Sequence, residues 1–374
     1  MKIVIDNKIP FIQGVFEPFA EVVYKSGAEI SHSDLVDADA LVTRTRTVCN
    51  ETLLLGTQVK FIASATIGFD HIDTDFCKKN NIAWTNASGC NSLAVAQYVL
   101  AALLHFAENA DLQLDKTTIG IIGVGNVGKK VADICNALGM NVLLCDAPRK
   151  QNEKNPLFLE IDKVVENADI ITLHVPLNIC GEYKTRHLFD SKMLAKTKAK
   201  IFINTSRGEV VDTVALKSAI ESKKIDFSVI DVWENEPAID KNLLSLVSLA
   251  TPHIAGYSQE GKIAATQMTV RAVSKFFNLG LDNFQAENLP EIEQKIIVDC
   301  AGKSLVEILQ NIVKSVYNIK YDNDLLKHNA DGFENLRATY KFRREFAAYK
   351  IYAKNIDAKQ KKVLNLLQFN TINY

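Results

Sequence analysis

The stretch from 119 to 128, Ile-Gly-Ile-Ile-Gly-Val-Gly-Asn-Val-Gly, leaves little freedom in how this chain folds. An apolar strand runs straight into a G-x-G-x-x-G turn, and Val131, Ile134 and Leu138 continue it at helical spacing. In that setting each glycine has a steric task. Gly123 permits the tight turn, Gly125 lets the backbone come close to a pyrophosphate, and Gly128 lets the helix pack against the strand. The helix N-terminus then offers N–H groups and a positive dipole end to the phosphates. Asp146 ends the next strand, 18 residues past Gly128, where an acidic side chain bonds ribose hydroxyls and repels a 2′-phosphate. NAD is therefore expected rather than NADP, although Arg149 stands close by and Asp146 also reads as a cap before Pro148.

Strand-like runs recur on both sides of that turn. The stretches 3–5, 40–43, 60–64 and 82–84 alternate with helix-like ones such as 16–25, and a long helix is expected after Asn91. Beyond a polar stretch at 111–117, a second series follows at 119–122, 142–145, 170–174, 201–204, 228–230 and 246–250. Apolar strands without alternation are buried on both faces, so the fold class is α/β with doubly wound parallel sheets. Asp212 is placed as an N-cap before Val214, Leu216 and Ile220, and residues 258–279 read as one long helix closed by Gly280. After Glu287 the composition becomes helix-rich and charged, and a small C-terminal α+β domain is placed there.

A chain of 374 residues is long enough for two or three domains. Its 43 basic and 44 acidic side chains give a net charge of -1, which provides no overall field toward nucleic acid or an anionic membrane. The first ten residues lack a basic, then apolar, leader pattern. The longest apolar run, 92–107, contains Gln97 and His105 and falls short of the roughly 20 residues that span a bilayer. Seven scattered cysteines without a CxxC pair point to reduced thiols in a cytoplasmic protein. The histidines at 32, 71, 105, 174, 187 and 328 show no ligand spacing, and no metal is expected.

Chemistry is concentrated near the ends of the later strands, where ligands bind in such sheets. Arg207 lies in Asn204-Thr205-Ser206-Arg207-Gly208, Glu236 in Asp231-Val232-Trp233-Glu234-Asn235-Glu236-Pro237, and His253 in Thr251-Pro252-His253-Ile254-Ala255-Gly256. Oxidising a 2-hydroxy acid needs a cation for the carboxylate, a base for the hydroxyl proton, and a group that orients the base. Arginine, histidine and glutamate suit those tasks. Singly, each has a plain structural reading: a surface charge, a turn acid before proline, a loop histidine. Together and in this order, the three segments resemble those of the D-isomer-specific 2-hydroxyacid dehydrogenases.

That resemblance covers roughly residues 1–285 and implies a division of the chain. A flavodoxin-like substrate domain would comprise 1–92 and 256–285, a Rossmann-type NAD domain would occupy 93–255, and a dimerisation domain would follow at 286–374. It implies that Arg207 holds the substrate carboxylate and carbonyl oxygen, that His253 is the acid/base, and that Glu236 is its partner. It further implies that Asn126 and Val127 meet the pyrophosphate, that Asp231 lies near the nicotinamide carboxamide, and that Val175, Ser206 and Gly256 line the cofactor. The loop at 64–70, with Gly68, would bind the substrate carboxylate. Tyr257 and the residues after it, together with the tail segment Phe333-Glu334-Asn335-Leu336-Arg337-Ala338-Thr339-Tyr340, resemble a branch of the family that forms homodimers and acts on a phosphorylated 2-hydroxy acid. In that branch Thr45 and Thr66 would meet substrate.

Arg44, Thr45, Arg46 and the Tyr257 hydroxyl have the chemistry to hold a dianionic phosphate. Arg44 and Arg46 equally read as a solvated face of a short strand. Arg343 and Arg344 read as a solvated helix face from which one side chain reaches the partner subunit's phosphate pocket. Another acid, such as 3-phosphoglycerate, remains an alternative substrate. A non-catalytic NADH-sensing protein would not need Arg207, Glu236 and His253 together.

Overall fold

The computed structural model describes residues 1–110, 112–286 and 289–373. Asp111, Glu287, Asn288 and Tyr374, which fall in the polar stretch and the C-terminal segment expected from the sequence, lie outside the described residues. By its internal packing the chain divides into two compact units, Met1–Asn91 with Ser258–Pro290, and Ser92–Tyr257 with Glu291–Tyr374.

The first unit is built on five parallel strands, β1 (Lys2–Asp6), β2 (Glu21–Lys25), β3 (Ala40–Thr43), β4 (Phe61–Ser64) and β5 (Ala83–Asn86), in the order β2-β1-β3-β4-β5. This is the flavodoxin-like order. Successive side chains leave a strand on opposite faces, so each strand feeds two cores. Ile3, Ile5, Val42 and Ala63 meet Val270 and Val273 of the helix Gln259–Phe277. Val4, Leu41 and Ile62 meet Leu35, Leu54 and Phe76 on the other side. The helical expectation for residues 16–25 fails. The chain turns through 10–20 and then forms β2, which runs parallel to β1 with Ile3 opposite Val22. Pro18 has no N–H to give a helix, and Val22, Val23 and Tyr24 favour extended backbone.

The second unit carries six parallel strands, β6 (Thr118–Ile122), β7 (Asn141–Cys145), β8 (Ile170–Leu173), β9 (Ile201–Asn204), β10 (Phe227–Ile230) and β11 (Leu249–Ala250). Their order is β11-β10-β9-β8-β6-β7, the doubly wound dinucleotide-binding arrangement, with the reversal between β6 and β8. The strand expected at 246–250 is shorter, because Asp240 caps a helix, Lys241–Leu246, by accepting from the Leu243 N–H at 2.8 Å. Helix Ser92–Asn109 is apolar on nearly every side, as a buried helix must be, and packs against helices Asn126–Ala137 and Leu305–Val316.

The C-terminal segment adds a three-stranded parallel sheet, β12 (Lys295–Asp299), β13 (Lys350–Lys354) and β14 (Asn370–Asn373), in that order. Its inward residues Ile296, Val298 and Ile351 share one core with Ile119, Ile121 and Ile203 of the six-stranded sheet. Among the described residues no helix is long and apolar enough to cross a membrane.

The glycine turn sits at the point of strand reversal. Gly123 has φ +88° and leads from β6 beneath the His174 carbonyl, where a Cβ would come within 2.5 Å of the oxygen. A Cβ on Gly128 would overlap the Gly123 carbonyl oxygen, whereas one on Gly125 would meet nothing within 4 Å. The turn is thus closed underneath and open above. Gly128→Ala is expected to push the helix off the strand at a cost of about 1–3 kcal/mol. Thermal unfolding should show a lower Tm and NAD titration a weaker affinity, and an unchanged value of both would contradict this packing.

Candidate active site

The site is assembled at the carboxyl ends of β9, β10 and β11. His253 adopts φ +56°, the left-handed region that non-glycine residues rarely occupy and that clusters at functional sites. The loop around it is held by one buried carboxylate. Asp231 Oδ1 accepts from the Thr251 hydroxyl at 2.6 Å and the Ile254 N–H at 2.8 Å, and Oδ2 accepts from the Ala255 N–H at 3.0 Å. Because Thr251 spends its proton on Asp231, the buried Tyr98 hydroxyl, 2.6 Å away, donates to Thr251. Burial raises the Asp231 carboxyl above its ordinary value, opposed by the His253 charge and by these hydrogen bonds.

His253 Nδ1 lies 2.8 Å from Glu236 Oε2. The other carboxylate oxygen, Oε1, accepts from the Trp233 N–H at 2.9 Å. Burial pulls the Glu236 carboxyl up, but the charge and hydrogen bond of His253, the Trp233 N–H and the Arg337 charge outweigh it and hold it below its ordinary value. An ionised Glu236 fixes the proton on His253 Nδ1 and leaves Nε2 as the exchanging nitrogen. Glu234, two residues earlier, turns elsewhere and accepts from the Thr213 N–H and pairs with His187.

Arg207 follows a hydrogen-bonded knot that has no local signature in the sequence. Asn204 Oδ1 accepts from both the N–H and the hydroxyl of Ser206, while its Nδ2 donates to the Arg207 carbonyl at 2.9 Å. A Cβ on Gly208 would run into the backbone of Trp233 and Glu234, so this loop packs directly on the segment that carries Glu236. Arg207, Glu236 and His253 are thereby gathered on adjacent loops.

The C-terminal segment reaches the same loops, but not as a solvated helix face. Arg343 and Arg344 are not on a helix, because the helix Phe333–Ala338 has already ended, and Arg343 is only 9% exposed. Its guanidinium donates to the carbonyls of Ile254, Ala255 and Ala94 and lies 4.4 Å from the Tyr317 ring centroid. Asp231 therefore grips the N–H side of the 254–255 peptides and Arg343 the carbonyl side. The local sequence reads as solvated because nothing in it reveals carbonyls 88 and 249 residues away. Tyr257 is enclosed in the same way, its ring 6.0 Å from Tyr340 and 5.4 Å from Phe342.

The cofactor candidates surround the glycine turn. Asp146 caps helix Ala147–Glu153 through the Arg149 N–H at 3.1 Å and accepts from the Val124 N–H at 2.8 Å, while Arg149 Nη1 donates to the Val124 carbonyl. The cap reading of Asp146 therefore holds, and its second oxygen ties the carboxylate to the glycine turn. Val175 covers Gly123, and burial pushes the neighbouring His174 down to about 3, so its ring is neutral at ordinary pH. Asn126 and Val127 open helix Asn126–Ala137, which has no side-chain cap at Gly125. Gly256 lies in the turn that the Tyr257 N–H closes on the Ile254 carbonyl at 2.8 Å. An open face over Gly125, a helix start without a side-chain cap and an acid at the end of β7 fit a dinucleotide.

Residues 104–255 match the family described as D-isomer specific 2-hydroxyacid dehydrogenase, NAD binding domain, and residues 289–367 match a domain of unknown function, DUF3410. An erythronate-4-phosphate dehydrogenase from Bacteroides fragilis is 46% identical over 353 residues, which are 94% of this chain and 99% of that protein. The chain belongs to the D-isomer-specific 2-hydroxyacid dehydrogenases. A Proteus mirabilis member of the family, also named erythronate-4-phosphate dehydrogenase, is 38% identical over 99% of each chain. Among solved structures, a D-lactate dehydrogenase from Aquifex aeolicus, complexed with NAD and lactic acid, is 25% identical. It has a TM-score of 0.61 and covers 78% of this chain and 100% of that one.

The remaining candidates lie in the first unit, also at the carboxyl ends of strands. Arg44, Thr45 and Arg46 lie just past β3 in a turn rather than on a strand face, and Arg44 reaches the Lys8 carbonyl at 3.4 Å. In the loop after β4, the Thr66 hydroxyl donates to the Gly68 carbonyl at 3.0 Å. Asn86 holds the Ile67 carbonyl and the Ala87 N–H holds that of Thr66, so three successive carbonyls are tied to the protein.

Two outcomes test this geometry. The lowered Glu236 carboxyl means that its pairing favours the folded state above pH 4.5 and that this contribution is lost as the pH falls through the lower, folded value. The Tm difference between wild type and Glu236→Gln should therefore shrink as the pH drops below 4.5, and a constant difference in calorimetry would refute the pairing. Arg343→Met leaves three carbonyls without their cation. It is expected to cost about 2–4 kcal/mol in urea denaturation, with Arg343→Lys recovering part of the loss.

Proposed function

We propose that the chain oxidises 4-phospho-D-erythronate to 2-oxo-3-hydroxy-4-phosphobutanoate with NAD, a step of pyridoxal 5′-phosphate (vitamin B6) biosynthesis. The observation that carries the substrate assignment is similarity to enzymes of that name that runs through nearly the whole chain, tail included. A family likeness confined to residues 104–255 would leave the acid open.

Arg207 holds the substrate carboxylate by a planar pair of N–H donors, the geometry a guanidinium offers a carboxylate. His253 takes the hydroxyl proton at Nε2, while Glu236 holds the Nδ1 proton and stabilises the imidazolium that forms. NAD, when bound, supplies the acceptor for the hydride that leaves the same carbon. The glycine turn and the helix start at Asn126 and Val127 would take its pyrophosphate and Asp146 its ribose, with Val175, Ser206, Asp231 and Gly256 along the rest. In the first unit, Arg44, Thr45, Arg46, Thr66 and Gly68 are assigned to substrate, as is Tyr257 in the second.

The three-domain division at 92, 255 and 285 belongs to the same reading, as does a homodimer formed through residues 286–374. A cytoplasmic location agrees with seven cysteines that are all free thiols.

Reduction of the nicotinamide, followed by absorbance with 4-phospho-D-erythronate, 3-phosphoglycerate and D-lactate, tests the assignment. The phosphorylated erythronate should be preferred by at least about 10-fold in kcat/KM, the discrimination that one well-placed contact gives. His253→Asn should lower kcat by about 100- to 10,000-fold. Preference for 3-phosphoglycerate, or no turnover with any acid, would sink the proposal.

A further inference from the structure

Two arginines of the C-terminal segment stand beside the loop that carries His253, and they are satisfied to different degrees. Arg343 has three carbonyl acceptors and an aromatic face. Among the described residues Arg337, in the last turn of helix Phe333–Ala338, has only distant partners, one of them the Phe333 ring with its centroid 5.9 Å away. Glu334 Oε2 is 3.6 Å from Nη1, and the Tyr257 hydroxyl is 3.4 Å from Nη2. Its Nε is buried with no hydrogen-bond partner among the described residues.

A guanidinium has five N–H donors, and contacts beyond about 3.2 Å use them poorly. A cation withdrawn from water needs acceptors, and the side chain of Arg337 is only 22% exposed. The nearby carboxylate that acts on its charge, Glu236, already receives His253 and the Trp233 N–H, so it does not supply them. The Tyr257 phenol beside it is held rigidly, since Tyr340 and Phe342 pack on its ring edge-to-face with interplanar angles of 64°. A fixed hydroxyl and an under-satisfied guanidinium, placed next to the catalytic pair, ask for an anion with several acceptor oxygens. A phosphate monoester has three.

We infer that Arg337, with the Tyr257 hydroxyl, forms the subsite for the phosphate of the substrate, so that the C-terminal segment selects phosphorylated over unphosphorylated acids within its own chain. This rests on the phosphorylated substrate assigned above. It places the discriminating charge on neither Arg343 nor Arg344.

The test uses the full-length, NAD-loaded protein with Arg337→Met, Arg337→Lys and Tyr257→Phe. In Arg337→Met the ratio of kcat/KM for 4-phospho-D-erythronate over D-erythronate should fall about 10- to 100-fold, the span of a hydrogen bond to a charged group, chiefly through KM. Arg337→Lys should restore part of it, and Tyr257→Phe should lower it by less. Calorimetric titration with inorganic phosphate does not depend on turnover, and binding should weaken in Arg337→Met. A wild type that turns over neither acid, but binds phosphate through Arg337, would overturn the assigned substrate and support the subsite. A ratio unchanged in Arg337→Met, or phosphate binding indifferent to Arg337, would overturn the subsite itself.

Discussion

The carboxylate of Asp231 carries more of the site than any other single group. Buried at the end of β10, it collects the Thr251 hydroxyl and the N–H groups of Ile254 and Ala255. These three bonds wrap residues 251–255 around one point. His253 is left in the left-handed conformation that turns its ring toward Glu236. A left-handed histidine persists only where its surroundings over-determine it, and here Asp231 holds the N–H groups beyond it, Arg343 the carbonyls and Glu236 the ring. The Tyr98 hydroxyl extends the network to the buried helix Ser92–Asn109, so the position of the His253 ring is linked to a buried element rather than to a surface loop.

Topology supplies the second constraint. In parallel sheets with strands buried on both faces, every loop that leaves a carboxyl end faces the same edge. Six such ends bring the glycine turn, Asp146, His174, the Asn204 knot, Asp231 and the His253 loop to one edge of one sheet. The glycines then decide how near these loops come. Gly128 admits the helix to the strand, and Gly208 admits the Arg207 loop to the Trp233 backbone. Chemistry from residues as far apart in sequence as 123 and 253 is concentrated by strand order, not by any local signal.

What could be read from the sequence was local or periodic. Buried apolar strands, the glycine turn, the Asp212 cap and the charged residues at strand ends each leave a mark within a short window, and the second unit shows them where they were expected. Misreadings arose where the window deceived. Val22 and Val23 sit in a stretch with no clean alternation, and the Asp240 cap turns part of an apolar run into helix. The roles of Arg343, Arg337 and Asn204 were invisible for a different reason. Their partners are carbonyls, a phenol and a turn, and backbone acceptors are present at every residue and so carry no letter in the sequence. An arginine that closes on the peptide of residue 255 looks, in its own neighbourhood, like any solvated charge.

The grip of Arg343 on Ile254, Ala255 and Ala94 also has a temporal side. Synthesis proceeds from the N-terminus, so every side chain of the Arg207, Glu236 and His253 constellation is in place long before residue 343 is added. Until then the carbonyls of Ile254 and Ala255 face a missing cation, and the core shared by β6, β9 and β12 lacks the residues of β13. A chain released before that point would hold Arg207, Glu236 and His253 in its sequence and still lack the cation that closes on their neighbouring peptides. The residue that holds the 254–255 peptides in register is made well after the peptides themselves.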